Sequence, residues 1–211
     1  MRCSKIAWAV LCMVPFVSAA QDTSRLIIEG GGGFSQPVGN SGGRFNTGFN
    51  LQAGAGVNLF SRLGVLGEFG YNEFGLTDGA LAAAGVPGGT GRIYSVTLNP
   101  VFRFNPHGRF DAYLMGGGGY YRRTIEFTKP VLAAVTVFDP FLFGFVTVPV
   151  AANQVLASFT QNKAGWNAGA GVTFRLSEDS RTKLFAESRY HYIYTTPVRT
   201  TILPVTFGLR W

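Results

Sequence analysis

The chain has 211 residues and a formal charge of +7, with only 14% charged residues against 46% hydrophobic ones. One domain is the default at this length, and the chain is long enough for a substantial fold. Its two cysteines, Cys3 and Cys12, lie near the start, so the rest of the chain cannot be a disulfide scaffold.

Residues 1–20 read as a secretory signal peptide. Arg2 and Lys5 form a basic n-region, Ile6 to Val17 is an apolar h-region, and Val17-Ser18-Ala19 or Ser18-Ala19-Ala20 supplies a small-residue cleavage site. A membrane anchor would need about 20 apolar residues, and Pro15 interrupts the run. Export removes both cysteines together with Arg2 and Lys5, leaving +5 on residues 21–211. An exported basic chain meets no nucleic acid, so anionic lipid headgroups are the expected counterpart. No later apolar run is long enough for a membrane helix, and apolar residues instead recur in short alternating pieces.

In chain order, the first predicted strand is Arg25 to Phe34, with Leu26 and Ile28 on one face and Glu29 on the other. Ser35 to Arg44 is rich in glycine and reads as a loop. From Phe45 to Phe60, Phe49, Leu51, Ala53, Ala55 and Val57 alternate with Asn50, Gln52, Gly54, Gly56 and Asn58. After Ser61-Arg62, a tight antiparallel connection, the third strand runs from Leu63 to about Phe74. Thr77 to Gly91 is expected to be a small-residue loop. Arg92 to Phe104 is the fourth strand, and Phe110 to Phe127 is the fifth. The apolar stretch Thr128 to Thr160, punctuated by Pro130, Pro140 and Pro149, reads as a long loop with some β extension. Within it, Val131 to Phe138 and Phe141 to Val148 offer an extra hairpin and hence a ten-stranded alternative. Asn162 to Leu176 and Thr182 to Tyr194 are strands six and seven, and Leu203 to Trp211 is the eighth.

These elements predict an all-β fold: an eight-stranded antiparallel up-and-down transmembrane β-barrel following a signal peptide. Eight is even, and closure removes the unpaired edge that lipid cannot satisfy. Short turns after strands 2, 4 and 6 gather at one rim, and longer loops gather at the other. A soluble periplasmic barrel or sandwich would place lysine on its polar face, whereas Gly54, Gly56, Gly169, Gly171 and Gly208 stand there and fit a narrow lumen. Phe60, Phe104, Phe110, Tyr120, Tyr121, Tyr192, Tyr194 and Trp211 fall at strand ends, as interfacial girdles require.

This pattern, with the closing Phe207-Gly208-Leu209-Arg210-Trp211, resembles the small outer-membrane barrels of the OmpA-transmembrane-domain, OmpX and OmpW type. The resemblance implies location in the bacterial outer membrane. It also implies contact with outer-membrane lipids and lipopolysaccharide, and an assembly signal at Phe207, Leu209 and Trp211 read by the barrel-assembly machinery. A monomer is expected.

By parity the lumen collects Glu29, Glu68, Asp111 and Glu187 with Arg103, Arg175, Arg189 and Arg210, plus His191. Opposite charges in so narrow a space are expected to pair and plug it; a gated narrow ion path is the alternative. Arg44, Arg92, Arg122, Arg123, Lys129, Lys163 and Arg199 at the loop rim are candidate contacts for lipid phosphates. No enzyme is expected: His191 is followed by Tyr192-Ile193-Tyr194 rather than the His-x-Ser-Asn of lipid A deacylase barrels. Ser188 points to the face opposite His191, and His107 is isolated in a turn. No metal or cofactor is expected either. The expected function is a structural and interaction barrel, supporting envelope integrity and loop-mediated binding. The alternative is a narrow channel or transporter for ions or small hydrophobic molecules. The 128–160 stretch is expected either to pack on itself as an extended hairpin above the membrane or to offer a binding surface.

Overall fold

The computed structural model describes residues 26–177 and 182–211. The signal peptide, both cysteines and most of the short turn expected between strands six and seven lie outside the described residues. The strands, numbered here in chain order, are β1 (Leu26–Pro37), β2 (Gly48–Asn58), β3 (Leu63–Gly75), β4 (Gly88–Arg103), β5 (Phe110–Asp139), β6 (Gly144–Arg175), β7 (Lys183–Ile193) and β8 (Thr200–Arg210), with one short helix, α1 (Asp78–Ala84). Each strand pairs antiparallel with its neighbours in sequence, and β1 pairs with β8 to close the barrel. At the seam, Ile28 and Trp211 exchange backbone hydrogen bonds of 3.1 and 2.8 Å. The 11-residue strands β2, β7 and β8 match the roughly 9–11 residues that cross a bilayer at a tilt.

Alternation decides what faces where. Leu51, Val96, Leu98, Leu114 and Phe207 stand exposed on the outer wall, while Glu29, Asn50, Glu68, Asn99, Glu187, Arg189 and Arg210 are buried inside. A closed wall this apolar needs lipid around it. Aromatic side chains band the outside toward the long-loop rim. Tyr71 packs against Phe49 and Tyr94 at centroid distances of 5.8 and 5.1 Å, and Trp166 stacks on Tyr192 at 5.6 Å. At the short-turn rim, Phe60, Phe104, Phe110 and Trp211 are exposed, and Arg109 lies over Phe174 at 5.1 Å. Tyr121 does not belong to the outer girdle: it is fully buried inside the barrel. In the Tyr120-Tyr121 pair only the first residue has outward parity.

Two expectations of loop are corrected. Within 77–91 the chain forms α1, because Thr77 caps it by accepting from the Ala80 backbone N–H at 3.3 Å. Gly85, in the left-handed region at φ 65°, ends the helix and returns its N–H to Leu81 and Ala82. Between these caps stand mostly alanines, the strongest helix formers. β4 then begins at Gly88, earlier than expected.

The second correction concerns 128–160, which is neither a loop nor an added pair of barrel strands. β5 and β6, of 30 and 32 residues, stay paired from Phe110↔Phe174 to Asp139↔Gly144 with one register shift at Phe127/Thr128. The ring therefore stays at eight strands, and the outer half of β5–β6 projects as a two-stranded ribbon turning at 140–143. Such a ribbon has two open edges, where alternate N–H groups have no partner, so Pro130 and Pro149 fit within it.

Candidate functional site: the barrel interior and its long-loop rim

Inward parity brings side chains from β1, β2, β3, β5, β7 and β8 together at mid-barrel. Arg189 on β7 donates from Nη1 to Glu68 Oε2 on β3 at 2.6 Å, and from Nε to Glu187 Oε1 at 2.8 Å. Its Nη2 is shared between Glu68 and Glu187. Arg210 on β8 donates from Nε to Glu29 Oε2 at 2.6 Å, and Nη2 lies 3.9 Å from Glu187 Oε2. Gln52 on β2 ties the acids together. Its Nε2 lies 3.1, 2.9 and 2.8 Å from oxygens of Glu29, Glu68 and Glu187.

Tyr113 on β5 completes the ring by donating to Glu187 Oε2 at 2.7 Å. It also accepts from Arg210 Nη2 at 3.2 Å and presents its ring 4.5 Å from that guanidinium carbon. Arg210 Nη1, buried without a hydrogen-bond partner, belongs to a guanidinium that also faces the Phe185 ring at 5.4 Å. Aromatic faces thus offset part of the missing hydrogen bond.

Three carboxylates within 4.8 Å of one another, from Glu29, Glu68 and Glu187, form the group among the described residues that could hold a metal ion. Their oxygens already accept from two guanidinium groups, the amides of Gln52 and Asn99 and a phenol, so positive charge is built into the site. Glycine makes room for it. A Cβ on Gly54 would lie 3.0 and 3.1 Å from the Cγ atoms of Glu68 and Glu29, and one on Gly171 would lie 2.5 Å from the Tyr113 ring.

Layers above and below close around this network. Asn99, Asn167 and Thr97 continue it, with Asn167 donating to Asn99 at 2.9 Å and Asn99 to Thr97 at 2.9 Å. Toward the long-loop rim, Tyr121 and His191 share a 2.9 Å hydrogen bond. Beyond them Phe45, Phe74, Leu76, Ile93, Ile193 and Ile202 form a buried apolar layer, with Ala80 and Leu81 of α1 packed on it. Toward the other rim, Ile27, Leu66, Val101, Tyr113 and Met115 form a second one. The cavity lined by Asn50, Gln52, Glu68, Asn72, Arg189, His191 and Thr206 measures about 20 Å³, room for about one water.

Of the residues placed in the lumen by parity, Glu29, Glu68, Glu187, Arg189 and Arg210 meet in the network, and His191 lies above it. Asp111 instead clamps the 104–109 turn by accepting from the Asn105 backbone N–H at 2.7 Å. Arg103 and Arg175 are half-buried near the short-turn rim. Gln52, Asn99 and Tyr113 were not singled out from the sequence. Their inward parity was the available signal, but neutral side chains carry no charge to draw notice.

At the long-loop rim the candidate phosphate contacts divide. Arg44, Arg122, Lys129 and Arg199 are exposed or half-exposed, and Arg199 lies over the Tyr192 ring at 5.5 Å. Arg92 is bound by Glu73 and Glu126 at 3.2 and 2.9 Å beside a groove of about 420 Å³ that Arg122, Thr124, Ser158 and Thr160 also line. Arg123 does not face lipid: it is buried and donates to Thr200 at 2.7 Å and to Thr195 at 3.4 Å. Lys163 is half-buried opposite Tyr121, so both residues have inward parity.

Residues 6–210 match the family model of the outer membrane protein beta-barrel domain. Among solved structures, the chain is similar to Neisserial surface protein A, with a TM-score of 0.57 and 14% identity, covering 88% of this chain and 95% of that one. A major outer membrane protein of Thermus thermophilus gives a TM-score of 0.56 and 12% identity over 89% and 98% of the two chains. Ail, the attachment invasion locus protein of Yersinia pestis, gives 0.50 and 19% identity over 89% and 99%. At these identities the likeness is one of fold. No curated protein sequence matches the chain.

Proposed function

Since the chain belongs to the outer membrane protein beta-barrel domain family and is a protein of the bacterial outer membrane, we propose that it is a structural and interaction barrel. Its lumen is held shut by the Glu29–Glu68–Glu187–Arg189–Arg210 network, and its β5–β6 hairpin is presented outward for contact. The observation that carries this reading is the bridging of Glu68 and Glu187 by Arg189 from opposite parts of the wall, with about 20 Å³ left beside it. Opening a path would strip two buried charges of their partners, which is costly in so confined a space.

The same reading assigns no catalysis. Ser188 has outward parity and His191 inward parity, and the His191 ring is engaged by Tyr121. Outward-facing Arg44, Arg122, Lys129 and Arg199 meet phosphates of the outer leaflet, and the terminal strand with Phe207, Leu209 and Trp211 is what the assembly machinery reads. The barrel acts as a monomer.

Planar-bilayer recording of the purified barrel tests the closed lumen and is expected to give silent traces. A narrow transport barrel, the rival reading, would conduct, and Glu187→Gln or Arg189→Gln would then change its current.

A further inference from the structure

Resting on the interaction reading above, we infer that the tip of the β5–β6 hairpin is a lipid-inserting finger that enters a bilayer apposed to the one holding the barrel. Between Pro130 and Thr160 the sequence carries one charged residue, Asp139. Polar pairs lie at the base of the ribbon, where Lys129 pairs with Gln154 and Pro130 with Asn153; nearer the tip, Thr136 and Thr147 hydrogen-bond to each other at 3.1 Å, and Asp139 pairs with Gly144 at the start of the turn. Toward the tip come paired valines, Val135↔Val148 and Val137↔Val146, then Phe138↔Phe145, whose rings meet edge-on at 5.5 Å. The turn adds Phe141 and Phe143, which are 92% and 88% exposed, together with exposed Leu142. Phe143 holds a positive φ of 45°, a conformation that glycine adopts without cost and a bulky aromatic does not. An aromatic thus occupies the turn at the expense of backbone ease.

Direction selects the membrane. From Glu126, above the aromatic band, β5 runs on past its last pair with β4 at Thr128 and reaches Phe138 paired with β6 alone, about 40 Å at about 3.3 Å per residue. Even at a tilt of about 45°, this carries the tip about 30 Å beyond the band.

The surface selects lipid over protein. A second copy of the chain fits poorly, because the five tip side chains offer roughly 700 Å² on a convex knob. A stable dimer needs roughly 600–1,000 Å² from each partner on matching surfaces, and two convex knobs meet over only a fraction of theirs. A tip so poor in charge gives a charged partner little to pair with, whereas a fluid leaflet moulds itself around a convex apolar knob. Insertion is shallow, because the open ribbon edges carry unpaired backbone groups that hydrocarbon cannot satisfy; a depth of about 5–10 Å covers the turn alone.

The experiment uses the full barrel in nanodiscs mixed with neutral phosphatidylcholine vesicles. Flotation should carry nanodiscs up with the vesicles, and Phe141→Ser/Phe143→Ser should lower capture by roughly tenfold or more while heat-modifiable gel mobility stays unchanged. With the two lipid-facing tryptophans of the wall replaced (Trp166→Phe and Trp211→Phe), the single tryptophan of a Phe143→Trp variant should be quenched by brominated lipid placed in the vesicles and unaffected by brominated lipid placed in the nanodisc. Equal capture by the double variant, quenching from the nanodisc's own lipid, or phenylalanine-dependent pairing of nanodiscs without vesicles would each overturn the inference. None of these outcomes bears on the closed lumen, which conductance tests separately.

Discussion

Arg189 and Glu68 meet across the barrel interior, the guanidinium Nη1 donating to Oε2 at 2.6 Å although 121 residues separate them in sequence. Both side chains are almost wholly removed from solvent. Removing the cation by Arg189→Ala leaves Glu68 and Glu187 buried without their main partner. The expected loss is about 3–5 kcal/mol, read as a lower urea midpoint for unfolding in lipid vesicles. A midpoint equal to that of the parent protein would show that the pair contributes nothing to the fold.

Gly171 should tolerate no side chain. The Cβ of Gly171→Ala would lie 2.5 Å from the Tyr113 ring and 2.8 Å from Glu187 Cβ, so Tyr113 must leave its hydrogen bonds to Glu187 and Arg210. The expected cost is about 1–3 kcal/mol, visible as a lower temperature for the shift between folded and unfolded gel mobility. Gly118→Ala is the control: its Cβ would point outward, 3.3 Å from the Gly165 carbonyl oxygen, and should change that temperature little.

Excising 130–153 should leave the barrel intact. β4 pairs with β5 no further than Thr128, and β7 pairs with β6 no further than Gly165, so the strand pairing of the removed residues is with each other. Heat-modifiable mobility should survive the deletion. Its loss would show that the ribbon is needed to assemble the wall.

Removing Trp211 should slow insertion more than it disturbs the interior. Its backbone closes the β1–β8 seam through two hydrogen bonds to Ile28, worth about 0.5–1.5 kcal/mol each, while its ring is exposed on the outer wall. Folding kinetics into vesicles should show a lower rate, and a truncated protein that inserts at the parent rate would contradict this.

The parts of the fold governed by period-2 alternation were legible in the sequence. Phe49 to Val57 and Trp166 to Phe174 show an unbroken apolar face, and their partners line the lumen as parity requires. The 128–155 ribbon was legible as a self-packed extended hairpin, one of the readings of that stretch, but not as a direct continuation of the fifth and sixth strands, because proline usually argues against a strand and only an open-edged ribbon relaxes that rule. Helix α1 was missed although Thr77, Asp78 and Gly85 are proper capping signals, since seven residues of mostly alanine and glycine show little amphipathic period. In the interior, charge drew attention to Glu68 and Arg189, but the three-way role of Gln52 depends on closure bringing β1, β3 and β7 around β2. Arg123 was misjudged because closeness to a rim says nothing of parity: its neighbour Arg122 faces out and it faces in.

The most direct test of a lumen closed by the Arg189–Glu68–Glu187 bridge is single-channel recording of the purified barrel in a planar bilayer. The closed-lumen account predicts silent traces, with activity appearing only when Arg189→Ala breaks the bridge. A steady, large conductance from the unmodified protein would contradict it.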